Sequence, residues 1–157
     1  MIRRAEPKDV GDIARLIRAL AEYEKLEDTV ELDESRLREH LFGPHPHAEV
    51  LLAEVAGQVV GFALFFHNYS TFKCQPGLYL EDLYVEPAFR GQGIGHDLFK
   101  ELIRIANERN CARMEWAVLR WNEPALSFYQ AWGAKPLDEW VTYRLTSTAL
   151  KKASPCD

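Results

Sequence analysis

Arg90-Gly91-Gln92-Gly93-Ile94-Gly95 lies between a strand-like run, Leu78 to Val85, and a helix-like run, Ile94 to Asn110. Three alternating glycines at a strand-to-helix junction leave backbone N–H groups uncovered, and such groups can wrap a phosphate. The helix that follows adds the positive end of its dipole, and Arg90 adds a full charge. The stretch therefore predicts a diphosphate-bearing ligand, although a glycine-rich turn before a helix is by itself more often only a loop.

The spacing of the glycines excludes two common phosphate-binding motifs. The dinucleotide fingerprint G-x-G-x-x-G needs a small residue at position 96, where His96 stands. The P-loop closes with Gly-Lys-Ser or Gly-Lys-Thr, and neither follows the glycines here. The ligand has to be identified from the rest of the chain.

Composition limits the class of protein. With 157 residues, 47% hydrophobic and 11% aromatic, we expect one domain over 1–150 with its own core, and a C-terminal tail over 151–157. The sequence has no apolar run of about 18 residues and no signal-peptide-like start, so no membrane contact is expected. The net charge of −5 argues against nucleic-acid binding. Three cysteines without a Cys-x-x-Cys pair fit a reducing cytoplasm.

Hydrophobic periodicity predicts a mixture of helices and strands. The predicted strands are Ile2 to Ala5, Val50 to Val55, Val59 to Asn68, Leu78 to Val85, Arg113 to Leu119 and Val141 to Thr146. The predicted helices are Lys8 to Lys25, Leu32 to Leu41, Ile94 to Asn110 and Glu123 to Trp132. Ala56-Gly57-Gln58 predicts a hairpin, and Tyr69 to Pro76 a loop. This order predicts an α+β fold built on a mixed sheet.

The strand-like run from Leu78 to Val85 carries two adjacent carboxylates, Glu81 and Asp82. Strand alternation groups Glu81 with Tyr79, Leu83 and Val85, and Asp82 with Leu78, Leu80 and Tyr84. Both faces are apolar, as in a central strand that is covered on both sides. Buried carboxylates are costly without partners. Either an arginine and backbone amides satisfy both, or one of them meets a cation or accepts a proton in a cleft, and a β-bulge would change which acid faces that cleft.

The run Trp121-Asn122-Glu123-Pro124-Ala125-Leu126-Ser127-Phe128-Tyr129 predicts a short, well-capped helix. Asn122 is a good N-cap, Pro124 suits the first turn, and Gly133 suits the residue after the last turn. Tyr129 follows Asn122 by two turns and so lies roughly 10 Å further along the same face. Either Tyr129 is an ordinary core aromatic, or it gives a proton to a departing thiolate.

These stretches together resemble the GNAT superfamily of N-acetyltransferases, and within it the spermidine/spermine (diamine) N-acetyltransferase group, over nearly the whole chain. The resemblance is carried by Leu20-Ala21-Glu22-Tyr23-Glu24, Leu78-Tyr79-Leu80-Glu81-Asp82-Leu83, Arg90 to Gly95, and Trp121-Asn122-Glu123-Pro124 with Phe128-Tyr129. The R-x-x-G-x-G part is general to the superfamily, and the Tyr-Leu-Glu-Asp and Trp-Asn-Glu-Pro parts are more specific to the diamine group. It implies a mostly antiparallel, twisted mixed sheet with helices on both faces.

The resemblance implies acetyl-CoA as the acetyl donor. In such enzymes the strand from Glu81 to Val85 carries a bulge and splays from its neighbour, and the pantetheine arm pairs with its backbone. Tyr129 would be the general acid for the CoA thiolate. The implied CoA-binding residues are Leu83, Tyr84, Val85, Arg90, Gly91, Gln92, Gly93, Ile94, Gly95, His96, Asn122, Glu123, Pro124 and Ala125. No metal is expected, because His45-Pro46-His47 has no third ligand of matching context.

The resemblance also implies direct attack by a primary amine. Such an amine, with a pKa near about 10.4, is mostly protonated at pH 7 and must first lose a proton. Glu81 is the expected recipient, directly or through a water, and it could equally serve only to anchor the cation. The implied substrate-binding residues are Tyr23, Glu24, Glu81, Asp82, Glu115, Trp116 and Ala117.

Two departures from the diamine group matter, one at the CoA site and one that bears on the acceptor. Position 125 is Ala where Ser is common, a minor change because backbone contacts dominate there. The stretch from Leu137 to Thr146 is more similar to bacterial and plant relatives that use small diamines, or diamino acids such as ornithine or thialysine. We expect a small cationic diamine or polyamine as the acceptor, with a diamino acid or a protein amine as the alternative and a non-catalytic CoA-binding module as a third interpretation. A homodimer is expected by analogy with the group.

Overall fold

The computed structural model describes residues 1–154 and contains one sheet in the order β1-β2-β3-β4-β5. The strands are β1 Ile2–Arg4, β2 Glu49–Val55, β3 Gln58–Ser70, β4 Gln75–Val85 and β5 Met114–Glu115. The helices are α1 Val10–Tyr23, α2 Glu34–Phe42, α3 Ile94–Glu108, α4 Glu123–Ala131 and α5 Ser147–Ala153. The first four strands pair antiparallel and β5 pairs parallel to β4, which confirms the predicted mixed, mostly antiparallel sheet.

The chain divides into two compact units, the first Met1–Ala117 and the second beginning at Val118. The first unit contains the sheet with α1, α2 and α3, and the second contains α4 and α5. The single domain predicted over 1–150 stays a prediction. None of the helices within residues 1–154 is both long and apolar enough to cross a membrane.

Helices α1 and α2 cover one face of the sheet. In α1 the apolar residues recur at helical spacing, and Ile13 and Leu20 are buried in the same cluster as Tyr84 of β4. The helix ends at Tyr23, and the N–H of Glu24 donates to the carbonyl of Leu20 at 2.9 Å. The end of α1 therefore carries two predicted substrate-binding residues on the face of the sheet that Tyr84 occupies.

Helix α3 contacts the sheet from the other side. Its residues Leu98, Leu102 and Ile105 are fully buried. Leu51 of β2 and Phe65 of β3 are fully buried as well, and they alternate with the strand residues that face α1. The expectation of helices on both faces is therefore confirmed.

Two predicted strands differ from the structure. The strand predicted from Arg113 to Leu119 is reduced to Met114–Glu115, and the strand predicted from Val141 to Thr146 does not form. The side chain of Thr146 instead accepts a hydrogen bond from the N–H of Ala149 at 3.2 Å and caps α5, a helix that the sequence analysis missed. This helix runs into the predicted tail, of which residues 155–157 lie outside the described part.

The two hairpins of the first unit have short turns. Ala56 and Gly57 have φ angles of 49° and 79°, as in a type I′ turn, so the predicted hairpin is confirmed. The loop predicted from Tyr69 to Pro76 is shorter, because β3 continues to Ser70 and β4 starts at Gln75.

Candidate functional site

Strand β4 contains a β-bulge at Glu81. Leu80 lies opposite Phe65 of β3, whereas Asp82 lies opposite Leu64, so two steps along β4 match one step along β3. Glu81 is the extra residue, and it is exposed. The bulge that the resemblance implied is therefore present, and it breaks the alternation of the strand at the first of the two carboxylates.

The bulge exchanges the faces of the residues that follow it. Tyr84 lies in the cluster with α1, and Asp82, two positions earlier, lies on the same face. Leu80 lies opposite Phe65 and therefore faces α3. The predicted grouping of Asp82 and Tyr84 with Leu78 and Leu80 is wrong, because it assumed unbroken alternation.

The other predicted face is wrong for the same reason. Tyr79 pairs with Phe66 before the bulge, and their rings lie 5.1 Å apart. Leu83 pairs with Ala63 after it, on the α3 side of the sheet. No face of β4 therefore carries Tyr79 and Leu83 together with Glu81.

Three carboxylates influence one another around the bulge. Burial, together with the negative charges of Glu81 and Glu24, raises the pKa of Asp82 to about 7. Burial also raises the pKa of Glu24, the residue that follows α1. The structure thus brings together three predicted substrate-binding acids from α1 and β4. A cation bound among them would relieve their mutual repulsion.

The other predicted substrate-binding residues follow strand β5 or end it. Burial raises the pKa of Tyr79, and the charges of Glu81 and Glu115 raise it as well, so these two acids act on the same ring. Glu115 also pairs with Arg113 at 2.6 Å. Trp116 packs edge-on against Phe99 of α3 with ring centres 5.3 Å apart, and Ala117 is exposed.

Arg90 has contacts that sequence reasoning missed. Its guanidinium lies 4.7 Å from the ring centre of Tyr23 and 5.4 Å from that of Tyr84, and its Nε donates to the carbonyl of Val85 at 2.8 Å. The contact with Tyr23 joins residues far apart in sequence, so no local motif could have indicated it. Arg90 therefore links the end of α1 to the end of β4.

The glycine turn has the backbone geometry of an anion site. Gly91 and Gly93 have φ angles of 74° and 81°, the left-handed region that favours glycine. Gly93 is the N-cap of α3, and its carbonyl accepts the first hydrogen bond of the helix, from the N–H of Asp97 at 2.9 Å. A helix start of this kind directs backbone N–H groups and the positive end of the dipole toward an anion. The predicted residues Ile94, Gly95 and His96 form its first turn.

The edge of β4 is open beside the bulge. Pairing with β5 is confined to Leu78 with Met114 and Tyr79 with Glu115. From Leu80 to Val85, no strand within residues 1–154 pairs with this edge. An open edge offers backbone donors and acceptors to an extended ligand, as the amides of a pantetheine arm require.

The second unit presents its predicted site residues on α4. The side chain of Asn122 accepts a hydrogen bond from the N–H of Ala125 at 3.3 Å, and Pro124 lies in the first turn. Gly133 has a φ of 81° just after the helix. The ring of Tyr129 packs edge-on against Phe128 with centres 5.2 Å apart. The predicted caps are confirmed, and the roles of Asn122 to Ala125 and of Tyr129 stay predictions.

Comparisons with known proteins agree with this architecture. The sequence model described as the Acetyltransferase (GNAT) family matches residues 13–134. Thialysine N-epsilon-acetyltransferase of Bos taurus is 42% identical over 97% of this chain and 95% of its own length. Spermidine/spermine N(1)-acetyltransferase-like protein 1 of Homo sapiens is 36% identical over 95% of this chain and 23% of its own length. An integron cassette protein structure from V. cholerae superposes with a TM-score of 0.80 at 29% identity, over 99% of this chain and 98% of that chain.

Proposed function

The chain belongs to the acetyltransferase (GNAT) family, and from this premise we propose that it acetylates a primary amine of a small diamine or polyamine. The observation that carries the choice of acceptor is the group of three carboxylates, Glu24, Glu81 and Asp82, at the bulge. A monoamine offers these acids one cation, whereas a diamine offers a second cation while the first is deprotonated for attack. Acceptors with two cationic groups therefore fit the site best.

The donor in this proposal is acetyl-CoA, which supplies the acetyl thioester. The turn from Gly91 to Gly93 and the start of α3 would hold the pyrophosphate, since both offer backbone N–H groups to an anion. The open edge from Leu83 to Val85 would pair with the pantetheine amides. The first turn of α4, from Asn122 to Ala125, would contribute further contacts.

Asp82 and Glu81 have different roles toward the amine of the acceptor. A general base works best when its pKa lies near the working pH, and that of Asp82 is raised to about 7. We therefore assign proton acceptance to Asp82 and attraction of the cation to Glu81, with the reverse assignment, which the sequence favours, as the alternative. The amine nitrogen attacks the thioester carbonyl directly, the C–N bond forms, and the C–S bond breaks. Tyr129 gives its phenolic proton to the departing thiolate, and the second proton that the nitrogen loses as the amide forms restores the Tyr129 phenol through solvent.

A diamino acid is the second candidate acceptor. The observation that favours it is the 42% identity to a protein named thialysine N-epsilon-acetyltransferase. A diamino acid carries the same two amines as a short diamine, together with a carboxylate. It would therefore need a cationic partner in addition to the three acids.

The partners and location complete the proposal. Cys74 and Cys111 are free thiols, which supports a reducing, cytoplasmic location. The net charge of −5 supports the proposal that nucleic acid is not a partner, because nucleic-acid binding relies on a basic surface.

A homodimer is supported by an exposed apolar stretch in the second unit. Five large apolar side chains there are more than half exposed: Leu137, Trp140, Val141, Tyr143 and Leu145. The same stretch has the alternating pattern of a strand, and no strand within residues 1–154 pairs with it. We propose that a second copy of the chain covers it, since clustered exposed apolar residues mark interfaces. Sedimentation should show a dimer, and Trp140→Glu should shift it toward monomer; a monomeric wild type would contradict this.

An amine panel tests the function. Steady-state rates with acetyl-CoA would be measured for putrescine, spermidine, ornithine, thialysine, butylamine and a histone-like peptide. We expect the highest kcat/KM for a small acceptor with two cationic groups. Lack of turnover with every diamine, polyamine and diamino acid would overturn the proposal.

A pair of tyrosine variants separates catalysis from binding. Tyr129→Phe should lower kcat while CoA still raises the melting temperature, because a ligand bound to the folded state stabilises it. Tyr69→Phe is the matched control, since Tyr69 is 56% exposed and lies outside the proposed site and the proposed dimer interface. Full activity of Tyr129→Phe would remove the general acid from the proposal. Absence of any CoA-dependent shift in the wild type would remove the donor.

A further inference from the structure

The guanidinium of Arg90 occupies a corner between the rings of Tyr23 and Tyr84, here named the tyrosine corner. The two ring centres are 6.5 Å apart and the rings are tilted by 53°, so that one cation lies within range of both. The hydrogen bond from Nε to Val85 fixes the side chain there. Tyr84 is buried and Tyr23 is half-buried, whereas Arg90 itself is exposed.

The surroundings of the tyrosine corner favour a cation for two further reasons. Helix α1 ends at Tyr23, so the negative end of its dipole is directed here. Glu24 follows Tyr23, and besides burial the negative charges of Glu86 and Glu22 act on Tyr84 and raise its pKa. Ring faces, carboxylates and a helix C-terminus all attract positive charge.

Arg90 is held in the corner by contacts that an anion can outcompete. Among residues 1–154 Arg90 forms no ion pair with a carboxylate. It contacts the two rings and the carbonyl of Val85, and against the effect of burial its charge and a side-chain hydrogen bond from it lower the pKa of Tyr84. A cation–π contact at an exposed site is weak. Charge-assisted, bidentate hydrogen bonds to a phosphate are stronger and more directional.

We propose that Arg90 occupies the position of the acceptor's second cationic group until the donor's diphosphate draws its side chain away. The inference rests on the proposed function, whose donor site begins at this same residue. Arg90 directly precedes Gly91, and rotation of its exposed side chain brings the guanidinium toward an anion at the start of α3. The tyrosine corner then becomes available to an ammonium group of the acceptor.

The exchange couples the two substrates. Because a donor-free protein must displace Arg90 before a second ammonium can enter the corner, CoA should strengthen the binding of a diamine. A monoamine has no group for the corner, so its binding should depend little on CoA. Arg90 is thus a positioning residue that favours donor binding before acceptor binding and selects acceptors with two cationic groups.

Calorimetric titration of putrescine and of thialysine, with and without saturating CoA, tests the coupling. For the wild type we expect the Kd of the better acceptor to fall about tenfold when CoA is bound, within the usual range of coupling between sites. Butylamine should show a ratio near one. Arg90→Gln should bind the acceptor without CoA as tightly as the wild type does with CoA, and should bind CoA more weakly.

Two variants and one spectroscopic signal complete the test. Tyr23→Leu should weaken acceptor binding and strengthen CoA binding, because it removes one of the contacts that hold Arg90 away from the diphosphate. Arg18→Gln, an exposed arginine of α1, is the matched control and should keep the wild-type ratio. The Nε–H NMR signal of Arg90 should move when CoA is added before any amine.

The outcomes distinguish this inference from the function on which it rests. If amines of the panel are acetylated but the wild type shows no coupling, or Arg90→Gln keeps it, the exchange is wrong and the function stands. If no diamine, polyamine or diamino acid of the panel binds with or without CoA, and none is acetylated, both the function and the exchange are overturned.

Discussion

Strand β4 consists of two halves that differ although they are continuous in sequence. Before the bulge, Leu78 and Leu80 are fully buried, and β4 pairs with β3 on one edge and briefly with β5 on the other. After the bulge, β3 is the only strand within residues 1–154 that pairs with β4, and Asp82 and Tyr84 lie on the face of α1. One inserted residue, Glu81, therefore separates a half that stabilises the fold from a half that presents polar groups.

The half of β4 after the bulge has features that lower its stability and that serve ligand binding. Its edge has backbone groups without a neighbouring strand among residues 1–154, and its half-buried carboxylate, Asp82, resists ionisation. Both features lower stability in an apoprotein, and both become useful when a ligand with amides and a cation binds. Variants on either side of the bulge should accordingly separate stability from activity.

The largest effect on stability is expected from a substitution in the half of β4 before the bulge. Leu80→Ala removes a buried side chain of β4 that faces α3. It should lower the free energy of unfolding by about 2–5 kcal/mol, measured by urea denaturation. Glu81→Ala, at the exposed neighbouring position, is the stability control and should change it by about 0.5 kcal/mol or less. Equal destabilisation by the two variants would contradict the division of the strand.

Asp82→Asn should show the opposite behaviour after the bulge. The amide cannot accept a proton, so kcat/KM should fall by at least about 100-fold, the lower range for loss of a general base. The rise of kcat/KM with pH near 7 should disappear as well. Glu81→Gln should keep this rise even where its rate falls. If Glu81→Gln abolishes the rise and Asp82→Asn keeps it, the two assignments are reversed.

The free energy of unfolding of the wild type should depend on pH because of Asp82. Its pKa is about 7 in the folded state and about 3.8 in the unfolded chain, so the folded state binds more protons between these values. The free energy of unfolding should therefore fall as the pH rises from about 4 to about 7, by at most about 1.4 kcal/mol per pH unit from this group. Asp82→Asn lacks this contribution, so the variant minus wild-type difference should rise over that window and then level off. A difference that is constant with pH would contradict the burial of the ionisable group.

The contrast between the halves also explains which features the sequence could predict. The caps at Asn122 and Gly133 and the turn at Gly93 depend on residues within a few positions, and all three agree with the structure. The register of β4 depends on its pairing with β3, and a bulge at Glu81 leaves the composition of the strand unchanged. The contact of Arg90 with Tyr23 likewise depends on how the chain folds back over 67 positions (90 minus 23).

Strand prediction failed where pairing decides the outcome. The alternation from Val141 to Thr146 is a genuine strand pattern, yet a strand forms only when a neighbouring strand accepts its hydrogen bonds. The pattern alone cannot say whether that neighbour exists within residues 1–154 or in a second copy of the chain. The three carboxylates were predicted as substrate contacts by resemblance, whereas the raised pKa of Asp82 depends on burial that sequence does not specify.

The smallest effect is expected at the glycine turn that follows the second half. Gly93→Ala places a Cβ on a residue with a φ of 81° and should lower the free energy of unfolding by about 1–2 kcal/mol, the usual penalty for left-handed backbone. It should also raise the KM for acetyl-CoA more than that for the amine, because the start of α3 shifts and the acids do not. Gly11→Ala, in an open position within α1, is the matched control and should stabilise the protein by roughly 0.5–1 kcal/mol without changing either KM. An equal rise of both KM values in Gly93→Ala would mean that the glycine turn supports acceptor binding as much as donor binding. The turn and the second half of β4 would then form one site for both substrates.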